Sequence, residues 1–169
     1  MRWIWIDKFE LFEPGKRAVA IKNVSLAEDH LHDHFPGFPI MPASLIIEGM
    51  AQTSGILVGA ARDFKEKVVL AKIGRATFNR LVRPGEQIVY DASISNVSEM
   101  GASIHGLIRS RTGVAQGRVQ EISVGEIELM FSHIDQNMAG MKFPDFNFVF
   151  NSEFMALFET YRRNVNITL

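Results

Sequence analysis

Between Glu28 and Pro42 the chain reads EDHLHDHFPGFPIMP and carries three of its five histidines, at positions 30, 32 and 34, with Asp29 and Asp33 between them. So dense a run of imidazoles and carboxylates suits a metal site, a solvated polar loop, or a carrier for one general base. The metal reading starts from H-x-H-D-H, which is one residue short of the two-metal hydrolase spacing, and it needs further ligands downstream. Only His105 and His133 remain, in predicted strands with no acidic neighbour patterned around them. We therefore expect no metal, and we read His30 and His32 as loop residues, since Asp and His are common in turns. His34 differs. It abuts FPGFPIMP, a stiff segment running straight into an apolar helix, where an imidazole is suited to proton abstraction. Glu48, within LIIEGM of that helix, is a carboxylate among apolar residues, where a raised pKa and a retained proton are expected; a salt bridge in a dimer interface is the plainer alternative. A base, an acid and the free amides of a helix start are the parts needed to remove a proton beside a carbonyl. Nucleophilic hydrolysis fits less well, because Ser44 and Ser54 have no triad context and no G-x-S-x-G elbow is present.

The elements that must position these groups follow from periodicity and punctuation. Lys8 to Phe12 and Arg17 to Val24, joined across Pro14 and Gly15, read as a hairpin, since RAVAIKNV alternates. Residues 25 to 42 are polar and then proline-rich, with Pro36, Pro39 and Pro42 lacking amide donors, so an ordered loop in extended conformation is expected. After Pro42, a favourable first-turn residue, ASLIIEGMAQTSGILVGAARDF is apolar almost all round, which marks a central buried helix. Lys67 to Phe78, Gln87 to Ser98, Gly101 to Arg111 and Val114 to Phe131 read as strands, punctuated by Arg83-Pro84-Gly85, Met100-Gly101 and Thr112-Gly113. Long antiparallel strands after one buried helix predict an α+β fold in which the sheet curls around the helix. Such a sheet leaves an edge and a face to cover, so dimerisation is expected. Beyond Ile134 the composition shifts to Phe and turn residues, and NSEFMALFETYRRN predicts a short amphipathic helix with Ser152 as N-cap and Arg162 and Arg163 in its last turn. The division is a domain at 1–134 and an extension at 135–169, whose phenylalanines at 143, 146, 148, 150, 154 and 158 should pack on the sheet or a neighbouring subunit.

Composition bounds the function. The chain has 169 residues, 47% hydrophobic and 22% charged, as expected of one globular domain. A net charge of −1 gives no support to nucleic-acid binding. The absence of cysteine excludes thiolate chemistry and favours a reducing, cytoplasmic setting. The longest apolar stretch is interrupted by Glu48 and Gln52, and the N-terminus lacks a cleavage pattern, so neither a membrane span nor a signal peptide is expected.

The segment from His34 through Glu48 to Gln52, HFPGFPIMPASLIIEGMAQ, closely resembles the signature of the 3-hydroxyacyl-(acyl carrier protein) dehydratases of FabZ type. AVAIKNVS before it and FNRLVRPGEQI after it extend the match to roughly residues 7 to 132. The resemblance implies a hot-dog fold, a sheet wrapped around one long helix, acting without metal or organic cofactor. It implies that His34 takes the C2 proton of a 3-hydroxyacyl thioester and that Glu48, from the other subunit, assists departure of the C3 hydroxyl. It also implies substrate positioning by Gly37 in HFPG, by the amide of Ala43, and by Gln52, which lies one helical turn beyond Glu48 and orients it. The family usually has glycine at position 43, and alanine keeps the amide but adds a methyl; it commonly has glycine at position 33, where this chain has Asp33, which would raise the pKa of His34 if it faced the ring. The implied partners are acyl carrier protein and a second copy of the chain, often as a trimer of dimers. Leu45, Ile46 and Met50 are candidates for an acyl tunnel or for plain core. Arg62, Lys65, Arg80 and Arg83 are candidates for docking the carrier or for solvated surface. The alternatives are a hot-dog thioesterase and a non-catalytic acyl-binding subunit.

Overall fold

A computed structural model describes residues 4–115, 118–134 and 143–165. The elements are β1 (Lys8–Glu13), β2 (Arg17–Asn23), α1 (His30–Asp33), α2 (Ala43–Ala60), β3 (Val68–Phe78), β4 (Gln87–Ser98), β5 (Gly101–Ala115), β6 (Arg118–His133) and α3 (Ser152–Val165). The strands form one antiparallel sheet in the order β1-β2-β4-β5-β6-β3. The hairpin closes where the sequence placed it, with Lys16 N donating to Glu13 O at 3.0 Å and Gly15 at φ +72°.

Two expectations about local structure are corrected. Residues 25–42 are not extended throughout. Leu31 N donates to Glu28 O at 3.0 Å and His32 N to Asp29 O at 3.1 Å, which curls the chain into α1 and buries Leu31. The three prolines all follow this turn, so none opposes it. Thr112-Gly113 is not the end of a strand either: β5 continues to Ala115, and a register shift between Arg111 and Val114 absorbs Gly113 at φ +66° as a bulge.

α2 lies against β2, β3, β4, β5 and β6. It ends at Ala60, short of the expected Phe64, and Pro42 is its N-cap residue and not a first-turn residue. By length and composition the helix is apolar enough to cross a membrane, yet 56% of it is buried inside the fold. Its close approach requires missing side chains. A Cβ on Gly49 would strike the Tyr90 ring, and one on Gly106 would come within 2.6 Å of Met50 Sδ. Tyr90 is fully buried, and burial pushes its phenol far above the ordinary value.

The C-terminal segment is anchored by polar and aromatic contacts together. Asn147 Nδ2 donates to the carbonyls of Phe64 and Glu66 at 3.1 and 3.3 Å, while its Oδ1 accepts from the amides of Val149 and Phe150 at 3.0 and 2.9 Å. The N-cap of α3 is Asn151 and not Ser152, because Asn151 Oδ1 accepts from Phe154 N, the third amide of the helix, at 2.9 Å. Arg162 and Arg163 fall in the last turn, and their side chains lie outside the described part, as do residues 135–142. Phe150, Phe154 and Phe158 are buried; Phe64 meets Phe150 at 5.0 Å and Phe158 at 4.9 Å, and Phe12 meets Phe158 at 5.5 Å. Phe146 and Phe148 are exposed on the single chain, so they do not pack on its sheet, and of the two expected coverings only a neighbouring subunit is left for them. A Cβ on Gly59 would strike the Phe150 ring and come within 3.0 Å of Phe64. Tyr161 donates its hydroxyl to Ile6 O at 3.0 Å, with burial pushing its pKa up to about 12.

Candidate active site

The loop bearing His34 is closed by its own backbone. Phe35 N donates to Phe38 O at 3.2 Å, Phe38 N returns to Phe35 O at 2.9 Å, and Ile40 N donates to His34 O at 3.0 Å. Gly37 sits inside this turn at φ +74°, a conformation that strains an L side chain, and among the described residues nothing beyond its own chain neighbours lies within 4 Å of where its Cβ would be. Backbone conformation, not space, calls for glycine there. Met41 N donates to Val82 O at 2.8 Å and fixes the loop to the segment before β4. That segment is itself held by Glu86, which accepts from Arg80 Nη2 at 3.0 Å, from the Arg83 amide at 3.2 Å and from Ser110 Oγ. The His34–Phe35 peptide is cis, and the two rings stack with centroids 4.2 Å apart. His34 is half-buried, and its Nδ1 is buried without a hydrogen-bond partner among the described residues of the single chain.

The other two histidines of the cluster have different surroundings. His30 packs edge-on against Trp5 at 5.3 Å and lies 3.4 Å from Glu28. Burial holds its pKa below the ordinary value, with Glu28 acting in the opposite direction. His32 is exposed and donates Nε2–H to Leu26 O at 3.0 Å. Asp33 is exposed, and among the described residues no hydrogen bond or ion pair joins it to His34. No group of three His, Asp or Glu side chains gathers to hold a metal among the described residues. His133, however, corrects the sequence reading. It is buried, and its Nδ1 lies 2.6 Å from Glu66, a partner 67 positions back that no local pattern reveals.

Glu48 stands on the one stripe of α2 that the sheet leaves open. Ser44 and Glu48 are exposed and Gln52 and Gly55 half-buried, four positions on a single helix face. The apolar enclosure expected around Glu48 is therefore not supplied by its own subunit. Gln52 Nε2 donates to Glu48 Oε1 at 2.9 Å, and Gln52 Oε1 accepts from Trp5 N at 2.8 Å. The N-terminal backbone thus fixes the glutamine, and the glutamine fixes the carboxylate. Trp5 was missed by sequence reasoning, since nothing local relates position 5 to position 52. Ala43 is the exposed first residue of α2, whose leading amides have no acceptor within the helix.

Beside Glu48 and Gln52 opens an apolar cavity of about 240 Å³ that follows α2 past Gly55 and Ile56. Its other walls include Phe131 of β6 and Phe150, Phe154 and Leu157 of the C-terminal segment. The tunnel candidates Leu45, Ile46 and Met50 do not line it; Ile46 and Met50 are buried core. Nor does His34, so one chain does not bring His34 and Glu48 to a common cavity. Among the docking candidates, Arg80 is engaged by Glu86, Lys65 pairs with Asp63 at 3.2 Å, and the Arg83 guanidinium lies 4.4 Å from the Phe38 ring centroid.

A six-stranded antiparallel sheet around one long helix is the hot-dog architecture, and solved structures bear this out. The chain aligns with a hexameric hotdog-fold thioesterase of Campylobacter jejuni at TM-score 0.54 and 18% identity, covering 81% of this chain and 92% of that one. It aligns with an acyl-CoA hydrolase from Agrobacterium tumefaciens at TM-score 0.56 and 18% identity, covering 75% and 46%. Within that architecture the sequence is more specific. Residues 4–122 match the FabA family model, described as the FabA-like domain. The 3-hydroxyacyl-(acyl-carrier-protein) dehydratase FabZ of Caldanaerobacter subterraneus is 40% identical over 130 residues, which cover 76% of this chain and 86% of that protein. The dehydratase of the same name from Clostridium tetani is 37% identical over 129 residues, covering 75% and 83%. The chain belongs to the FabA-like family.

Proposed function

We propose that this chain dehydrates 3-hydroxyacyl thioesters on acyl carrier protein to trans-2-enoyl thioesters in fatty-acid synthesis. The observation that carries the reading is Glu48, held by Gln52 at the mouth of an apolar cavity in a chain whose relatives bear the dehydratase name. His34 takes the C2 proton, the released electron pair forms the C2–C3 double bond, and the C3–O bond breaks as Glu48 delivers a proton, so that water departs. The Ala43 amide donates to the thioester carbonyl as charge develops there. Gln52 positions Glu48, and the Gly37 turn holds the loop of His34 in shape.

The site is completed by two chains, His34 of one and Glu48 of the other. The separation of His34 from the Glu48 cavity within one chain and the unpartnered Nδ1 of His34 support this. A homodimer is the catalytic unit, assembled further as a trimer of dimers, in the cytoplasm. Residues 1–134 form the catalytic domain and 135–169 its extension. The acidic carrier docks beside the His34 loop, where Arg83 lies over Phe38. The elimination requires neither a metal nor an organic cofactor.

The test follows enoyl formation and free-thiol release together on 3-hydroxyacyl and enoyl thioesters. Enoyl product without thiol is expected, and His34→Ala and Glu48→Gln should each lower kcat about a hundredfold or more while the oligomer persists. Thiol release without enoyl product would make the chain a thioesterase. A fully active His34→Ala protein would refute the mechanism.

A further inference from the structure

The stripe of α2 that carries Glu48 continues through Gln52, Gly55 and Gly59, and the cavity follows it only part of the way. It runs beside Glu48, Gln52, Gly55 and Ile56, a span of nine residues and eight rises, or about 12 Å at 1.5 Å per rise. Ile56 is the last residue of α2 to line it, and at Gly59, further along, the Phe150 ring occupies the space where a Cβ would stand. Phe150 is held there by the hydrogen bond its amide donates to Asn147 Oδ1 and by Phe64 and Phe154, at centroid distances of 5.0 and 5.1 Å. Phe150, Phe154 and Leu157 all lie beyond residue 122, where the family match ends. The open end of the groove is polar, at Glu48 and Gln52, and the blocked end is aromatic and supplied by the extension.

We propose that the C-terminal extension, through Phe150 and Phe154, forms the closed end of the acyl pocket and sets the longest acyl chain it accepts. The inference rests on the dehydratase reading, which puts the reacting carbons at Glu48 and leaves the hydrocarbon tail to run along the helix. The occupant is an alkyl chain for reasons of shape and lining. A dry apolar cavity of roughly 150 Å³ is enough to hold benzene, so about 240 Å³ holds a longer hydrocarbon. With C–C bonds near 1.5 Å and staggered torsions, an extended chain advances about 1.3 Å per carbon, so the groove takes about nine carbons beyond the reacting centre. Removing Phe150 opens the stripe from Ile56 to Gly59, about 4.5 Å more and so about three further carbons.

The experiment measures kcat/KM of the full-length protein on a ladder of 3-hydroxyacyl thioesters of increasing length. Phe150→Ala should move the cutoff to longer chains, raising the ratio of long-chain to medium-chain kcat/KM about tenfold or more, as misfit in an apolar pocket does. Leu157→Trp adds bulk from a half-buried position and should move the cutoff to shorter chains by a similar factor. It keeps the test decisive if Phe150→Ala does not fold. An active enzyme whose length profile stays put in the variants would overturn the pocket assignment alone. Absence of dehydration at every length would overturn the proposed function and this inference with it.

Discussion

Replacing Phe158 by alanine tests whether the C-terminal helix belongs to the folded core. Phe158 has no exposed surface and meets three rings, Phe64 at 4.9 Å, Phe12 at 5.5 Å and Phe154 at 6.0 Å. Truncating a buried phenylalanine costs about 3–5 kcal/mol, as lost transfer free energy plus the cavity left behind. The upper half of that range is expected, since the neighbours are rings fixed from three directions and cannot collapse into the hole. In a chain of this length each kcal/mol lowers Tm by about 2–4 °C, so the variant should melt roughly 8–20 °C below the wild type. Phe146→Ala is the control, at a position 68% exposed where the change should stay within about 0.5 kcal/mol. Chemical denaturation followed by tryptophan fluorescence reads both, at one protein concentration because assembly contributes to stability. Equal losses in the two variants, or a loss under about 1 kcal/mol for Phe158→Ala, would refute the docking of α3.

Asp33→Asn should leave the pH profile of kcat/KM superimposed on the wild type, because Asp33 is exposed and bonds to nothing on His34; a displaced limb in rate measurements across pH would mean that the carboxylate turns toward the ring. Asp91 is buried and accepts from Arg17 at 2.8 Å twice and from Arg109 at 3.0 Å. Burial raises its pKa, but the hydrogen bonds and charges of the two arginines outweigh burial and hold the carboxyl below its ordinary value. Its contribution is therefore complete above the unfolded value of about 3.9 and is lost as pH falls through the lower folded value. Asp91→Asn should cost about 1–3 kcal/mol at neutral pH, and denaturation midpoints should converge with the wild type only in that acidic window; a gap that persists there would remove the ionic explanation.

The hairpin, the four long strands and the central helix were legible because each announces itself within a dozen residues, through alternation, turn residues or an uninterrupted apolar run. The long helix nonetheless misled about Glu48: an almost wholly apolar sequence implies burial all round, yet one stripe, Ser44 through Gly55, escapes the sheet. α1 was hidden because one leucine among polar residues has no period. Asn151 and Ser152 are both good caps, and only the geometry of the third amide separates them. The contacts that organise the site lie beyond local pattern: Trp5 with Gln52, Tyr161 with Ile6, Glu66 with His133. Positions 34 and 48 stood out by chemistry and spacing, while the cavity beside Glu48 did not, since a third of its lining residues come from a segment after residue 134.

The bare α-carbon at position 59 makes two parts of the chain interdependent. Any side chain there would collide with the ring that the C-terminal segment lays across α2, so a relative with a bulkier residue at this point could not dock such a segment in the same way. One position inside the shared domain thus serves as a marker for sorting related sequences by whether they can carry this appendage.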